Sequence, residues 1–263
     1  MVKRSFLLCC ALFASLSLVF VELASTCCRA QFNTVINIPP DAPPINVDSN
    51  TQLNLYDGGL LSSHIRLGSI LADSHDIEFN MNGGNANSIT ITSGTTMNMN
   101  GGRISGPLYA VFSTINIFDG VIENGVTSGP FTFMKTTTNM YGGTIRSRVI
   151  MEESGVLNLY GGTIVNDDGL QIQTRQDSQV NFFVRSFSIG GVEVTDLQPG
   201  VRRDYGYLSR VFSGTLSDGS PFVLGNPGGQ VSVTLVPEPL LLTYLATIAV
   251  ACVVARHRRP TRD

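Results

Sequence analysis

Asn158-Leu-Tyr-Gly-Gly-Thr-Ile164 decides the fold, because variants of the same phrase return through the chain. They begin at Asn54 (Asn-Leu-Tyr-Asp-Gly-Gly-Leu), Asn80 (Asn-Met-Asn-Gly-Gly), Asn98 (Asn-Met-Asn-Gly-Gly-Arg-Ile), Asn116 (Asn-Ile-Phe-Asp-Gly-Val-Ile) and Asn139 (Asn-Met-Tyr-Gly-Gly-Thr-Ile). A degenerate copy at Asn181 has lost its glycines. Successive starts are separated by 26, 18, 18, 23, 19 and 23 residues. Short strands punctuated by glycine at a period near 20 describe a solenoid, whose repeats cannot bury their apolar face until neighbours stack on it. The expected fold is all-β: a right-handed parallel β-helix of about six rungs over residues 53–184.

Alternation assigns the two faces. Leu53 and Leu55, Phe79 and Met81, Met97 and Met99, Ile115 and Ile117, and Leu157 and Leu159 bracket their asparagines. A period of two sends these apolar side chains inward and each Asn to the opposite face. The residue two after Asn shares that outer face: Tyr56, Asn82, Asn100, Phe118, Tyr141 and Tyr160. Stacking therefore makes a column of Asn beside a column of Tyr, Phe or Asn. The glycines that follow supply the positive φ of a corner.

Between the phrases lie second runs of β-type residues: His64 to Leu67, Ser88 to Thr92, Leu108 to Phe112, Phe131 to Met134, Val149 to Glu152 and Leu170 to Gln173. Turn chemistry such as Ser93-Gly94-Thr95 leads from each back to the next phrase. Ahead of the repeats, residues 31–52 form a leader with Pro39, Pro40, Pro43 and Pro44, in which Thr34 to Ile38 can add a strand over the first rung. Residues 185–235 lose the repeat. Strands on either side of Asp218-Gly219, and another over Val231 to Leu235, are expected to form a small antiparallel cap, because a solenoid's last rung exposes an edge.

Residues 1–30 carry the marks of a secretory signal. Lys3 and Arg4 precede the weakly polar-to-apolar run Phe6 to Val21, and cleavage is expected between Ala30 and Gln31. At the other end, Val236-Pro237-Glu238-Pro239 leads into the apolar run Leu240 to Ala255 and then Arg256, Arg258 and Arg259. This three-part tail, residues 236–263, resembles the PEP-CTERM sorting signal of exported bacterial proteins. The resemblance implies an exosortase-type membrane enzyme as partner, besides signal peptidase, and a C-terminal transmembrane helix held at the membrane. Sixteen apolar residues span ~24 Å, somewhat short of a ~30 Å hydrocarbon core, a mismatch that thinning or snorkelling covers. The repeats are similar in a general way to those of autotransporter-like β-helical surface proteins.

Charge and cysteine usage narrow the function. From Gln31 to Leu235 there are ten Lys and Arg against seventeen Asp and Glu, a net charge of −7. Nucleic acid, which demands a basic patch, is therefore not an expected partner. All five cysteines, Cys9, Cys10, Cys27, Cys28 and Cys252, fall in the terminal segments, so the body holds neither a disulfide nor a thiolate metal site. No nucleotide loop, serine elbow or zinc-protease helix occurs, and no cofactor is expected. Asp73, His75, Asp76 and Glu78 form the densest ligand-capable cluster, which reads as a solvated loop. Arg148 and Asp167 fall at equivalent positions of neighbouring repeats, with Asp168 beside them, and carry the alternative of a polysaccharide lyase or hydrolase. The favoured expectation is a non-enzymatic structural or adhesive surface protein in contact with extracellular polysaccharide. Its candidate glycan face is Tyr141 and Tyr160 with Asn139 and Asn158.

Overall fold

A computed structural model describes residues 32–69, 74–123, 131–165, 171–175, 177–207, 210–225 and 230–236. The signal segment 1–30 and the tail beyond Val236 lie outside these residues. So do Asp73, Asp167 and Asp168. The described residues are all-β and mostly parallel, without a helix, an arrangement compatible with a β-solenoid.

Three stacks of parallel strands share the chain. The first, the asparagine stack, runs from Thr34–Ile38 through Thr51–Leu55 and Ile77–Met81 to the leading halves of Thr95–Ile104 and Thr114–Glu123. It continues through Thr137–Met140, Val156–Leu159, the leading half of Gln179–Ile189 and Gln230–Leu235. The second stack takes Asn46–Val47, the end of Leu60–Leu67, Asn85–Ile91, Leu108–Val111, Phe131–Met134, Val149–Glu152 and Ile172–Thr174. A short third stack sets Leu61, Ala86, Ile104, Ile122, Ile145 and Ile164 in one register column. Each repeat feeds every stack once before returning one spacing further along, ~4.8 Å in a parallel sheet.

The alternation works as physical chemistry requires. Leu53, Phe79, Met97, Ile115, Leu157 and Val180 are fully buried in one column, and Leu55, Met81, Met99, Ile117, Met140 and Leu159 in the next. Thr138 occupies the position between Ile115 and Leu157, and its buried hydroxyl finds no hydrogen-bond partner. Corners turn on glycine for two separate reasons. Gly84, Gly102, Gly120, Gly143 and Gly162 all have positive φ, between 71° and 100°. They also sit under the previous repeat: a Cβ on Gly102 would lie 2.5 Å from the Gly83 carbonyl oxygen, and one on Gly162 2.7 Å from that of Gly142. Any side chain meets both the conformational cost and a backbone collision.

The asparagine stack is longer than residues 53–184 at both ends. Thr34–Ile38 is a full member, since Ile36-Asn37-Ile38 carries the same apolar-Asn-apolar alternation. Gln230–Leu235, expected within the antiparallel cap, pairs parallel with Gln179–Val184 instead. Val231 and Val233 thereby cover Val180 and Phe182 and are completely buried. The rest of the closing region is antiparallel. Val184–Ile189 pairs with Phe212–Leu216, which pairs with Pro221–Leu224, and Arg202–Tyr207 covers the far edge of Gln230–Leu235. Phe182, Phe187, Phe212 and Phe222 meet at centroid separations of 5.2–6.3 Å and fill the end of the core.

Candidate functional site

The outer face of the asparagine stack carries the residues that the repeat singles out. Register aligns Asn37, Asn54, Asn80, Asn98, Asn116, Asn139, Asn158 and Asn181, then Ser232. Each amide nitrogen donates to the side-chain oxygen of the preceding repeat. The distances are 3.0 Å for Asn54 to Asn37 and Asn80 to Asn54, and 2.9 Å for Asn98 to Asn80, Asn116 to Asn98 and Asn139 to Asn116. They are 2.8 Å for Asn158 to Asn139 and 2.7 Å for Asn181 to Asn158. The Ser232 hydroxyl donates to Asn181 at 2.5 Å. An amide suits this column because it offers a donor at one end and an acceptor at the other, matching the strand spacing.

Beside it, the second column changes character along its length. Asn100 Nδ2 donates to Asn82 Oδ1 at 2.9 Å. Four rings then follow: Phe118 on Tyr141 at 5.0 Å and 6°, Tyr141 on Tyr160 at 4.7 Å and 11°, and Tyr160 on Phe183 at 4.0 Å and 14°. The structure thus brings Tyr141, Tyr160, Asn139 and Asn158 together on adjacent strands. It also places the ring faces of both tyrosines against other rings, so only their edges meet solvent. Burial raises the Tyr160 phenol above its ordinary value, and the neighbouring Tyr141 adds to the shift. Phe183 belongs to the degenerate copy at Asn181, which the sequence offers without its glycines, and it stands two residues after its asparagine as the other three rings do.

Four glutamates, Glu78, Glu123, Glu152 and Glu153, are engaged across the same spacing. Glu123 sits between Arg103 and Arg146, with the latter contact at 3.2 Å. Arg175 binds Glu152 at 2.8 Å and Lys135 lies 3.6 Å from Glu153. Glu78 accepts from Gln52 at 2.9 Å and from Asn80 at 2.5 Å. His75 pairs with Asp76 at 3.0 Å, and His64 with Ser88 at 2.8 Å. Among the described residues no group of three His, Cys, Asp or Glu could hold a metal. Arg148 is described, but its expected partners Asp167 and Asp168 are not.

At the end of the stack the 217–220 turn docks on the Tyr160-Gly161-Gly162 corner. Ser217 Oγ donates to the Tyr160 carbonyl at 2.6 Å, and the Gly162 N–H donates to Asp218 Oδ2 at 2.9 Å. Partial burial pushes the Asp218 carboxyl upward. Hydrogen bonds from the Ser220 hydroxyl and N–H and from Gly162 outweigh that and hold it below its ordinary value.

Of the sorting segment only Val236 is described. Its N–H donates to the Val184 carbonyl at 2.7 Å. Ala30, Gln31, Pro237, Glu238, Pro239, Arg256, Arg258 and Arg259 lie outside the described residues, among which no helix is long and apolar enough to cross a membrane. Fold and face together define a class, an all-β protein of stacked parallel repeats with an amide column and an aromatic column on one outer face. No protein-family model, curated protein or solved structure matches the chain.

Proposed function

We propose that this chain is an exported, non-enzymatic structural or adhesive protein of the bacterial envelope or extracellular matrix, whose body is a right-handed parallel β-helix. The hand follows from the parallel crossovers, which are right-handed in about 98% of cases for twisted strands. One observation carries the reading of the body. The side chains that the repeat multiplies, Asn and Tyr or Phe, bond to their own copies, and the charged ones staple neighbouring strands. Such a surface makes a durable, regular rod, and a regular rod suits scaffolding or adhesion to an extended polymer better than turnover, which needs convergent groups.

Export and sorting rest on the two termini. A signal segment cleaved between Ala30 and Gln31 delivers the body. The Val236-Pro237-Glu238-Pro239 segment, apolar run and terminal arginines then hold it at the membrane for an exosortase-type enzyme. Arginines after an apolar run favour retention on the cytoplasmic side. The test is deletion of residues 236–263 followed by cell fractionation. The full chain is expected in the envelope fraction and the truncated chain in periplasm or medium; identical fractionation removes the sorting role. The enzyme alternative predicts polysaccharide cleavage abolished by Asp167→Asn or Arg148→Ala. A degradation screen with the wild-type chain is expected to show none.

A further inference from the structure

A groove of about 370 Å³ opens where the chain passes from the second stack into the asparagine stack. Its lining crosses three successive repeats, from Gly94 and Thr96 through Phe112 and Thr114 to Lys135. Thr96 and Thr114 are register partners, half-buried, and Thr137 continues their column on the next strand. Hydroxyls therefore recur at the ~4.8 Å strand spacing along one wall.

Phe112 forms the other wall. It is 52% exposed, and its φ is +52°, a conformation in which a bulky side chain is an outlier. Its backbone N–H donates to the Met134 carbonyl at 3.0 Å, which fixes the turn. The Lys135 ammonium stands 5.0 Å from the ring centroid and continues to Glu153 at 3.6 Å. The stacked column of Phe118, Tyr141, Tyr160 and Phe183 has its faces against one another. Phe112, by contrast, stacks on no other ring among the described residues: the Lys135 ammonium stands over the ring, and the half-exposed side chain borders a concavity. Gly94, Lys135, Ser154 and Asp177 have positive φ at the equivalent corner of the neighbouring repeats, so the turn is part of the stack and fixes where the Phe112 ring stands.

We propose that this groove binds a short run of a neutral polysaccharide lying along the stack, with Phe112 as the platform under one sugar ring. The apolar face of a sugar packs on an aromatic ring, and its hydroxyls exchange hydrogen bonds with Thr96, Thr114 and the Lys135 ammonium. The body's net charge of −7, with the Glu153 carboxylate 3.6 Å from the Lys135 ammonium, selects against a polyanion. The inference rests on the reading that this body meets extracellular polysaccharide, and moves the contact from Tyr141 and Tyr160 to Phe112.

The test is affinity electrophoresis of the full-length protein through gels containing dextran, galactomannan or xyloglucan, with polygalacturonate as the anionic arm. Phe112→Asn and Lys135→Gln are run beside the parent, and melting temperatures are measured for all three. At least one neutral polymer is expected to retard the parent. Phe112→Asn should weaken that retardation tenfold or more while melting at the parent's temperature or above, because Asn accepts a positive φ. Lys135→Gln should weaken it only a few-fold. Three outcomes each overturn the proposal: no neutral polymer retards the parent, polygalacturonate alone does, or Phe112→Asn binds as the parent does. Fractionation of the truncated chain reads sorting without reading binding, so failure of one reading is separable from failure of the other.

Discussion

Between Thr34 and Leu159 each strand of the asparagine stack meets the next repeat with its asparagine at the same register position, whereas from Val184 onward the chain doubles back to find partners. The stack extends by addition, and its inward and outward columns are set by one phrase. The closing region is assembled from unlike pieces: a phenylalanine cluster, a hairpin turn pinned by Asp218, and an edge strand, Arg202–Tyr207, with two arginines and an irregularity between Asp204 and Gly206. Charge and a bulge on the last edge discourage further pairing. Repetition builds the body, and irregular sequence stops it.

The sharpest way to break this contrast is through glycine. In the stack, Gly102→Ala combines a left-handed residue, costing about 1–3 kcal/mol, with a backbone collision. Overpacking of that kind adds about 1–3 kcal/mol. In the closing region Gly190 has a φ of +58° but nothing near its Cβ position, so Gly190→Ala meets the conformational term alone, about 1 kcal/mol. Denaturant melts of the two variants should differ severalfold in stability lost. Equal losses would mean that stacking does not set the glycine requirement.

A middle-sized effect comes from the amide column. Asn116→Ala strands the Asn139 donor and the Asn98 acceptor, which costs about 1–3 kcal/mol where water cannot replace the partner. The same change at Asn82, whose column neighbour Asn100 is exposed, should cost well under half as much. Thermal melts of both variants check the ranking.

The smallest effect is at the docking turn. Because the folded-state carboxyl of Asp218 lies below its ordinary value of 3.8, its contribution is present above that pH and lost as pH falls through the lower, folded-state value. A plot of melting temperature against pH should show a shallow acid step, removed by Asp218→Asn. An Asp218→Asn profile that superimposes on the parent's would assign the turn's grip to Ser217 instead.

How far the sequence could reach follows from the same contrast. The second-stack strands over Phe131–Met134 and Val149–Glu152, and the strands flanking Asp218-Gly219, were legible because periodicity and turn chemistry are local signals. The alternation at Ile36-Asn37-Ile38 was legible too, yet the absence of glycine kept it from counting as a repeat. Two things were not readable. The parallel pairing of Gln230–Leu235 depends on which edge is left open some fifty residues earlier, which no local pattern encodes. The Phe112 groove joins Gly94, Phe112 and Lys135 only after the repeats are stacked, and a positive φ at a phenylalanine leaves no trace in residue type.

The amide column has a sense of direction. From Ser232 back to Asn37 every side-chain donor points the same way, so the column is a head-to-tail line of dipoles with Asn37 Nδ2 as its terminal donor. Reversing one amide would set nitrogen against nitrogen on one side and oxygen against oxygen on the other. A single flip therefore creates two faults, and the line prefers to be wholly one polarity or wholly the other. Eight asparagines and one serine thus behave as a single polarised object, whose orientation any one member inherits from the rest.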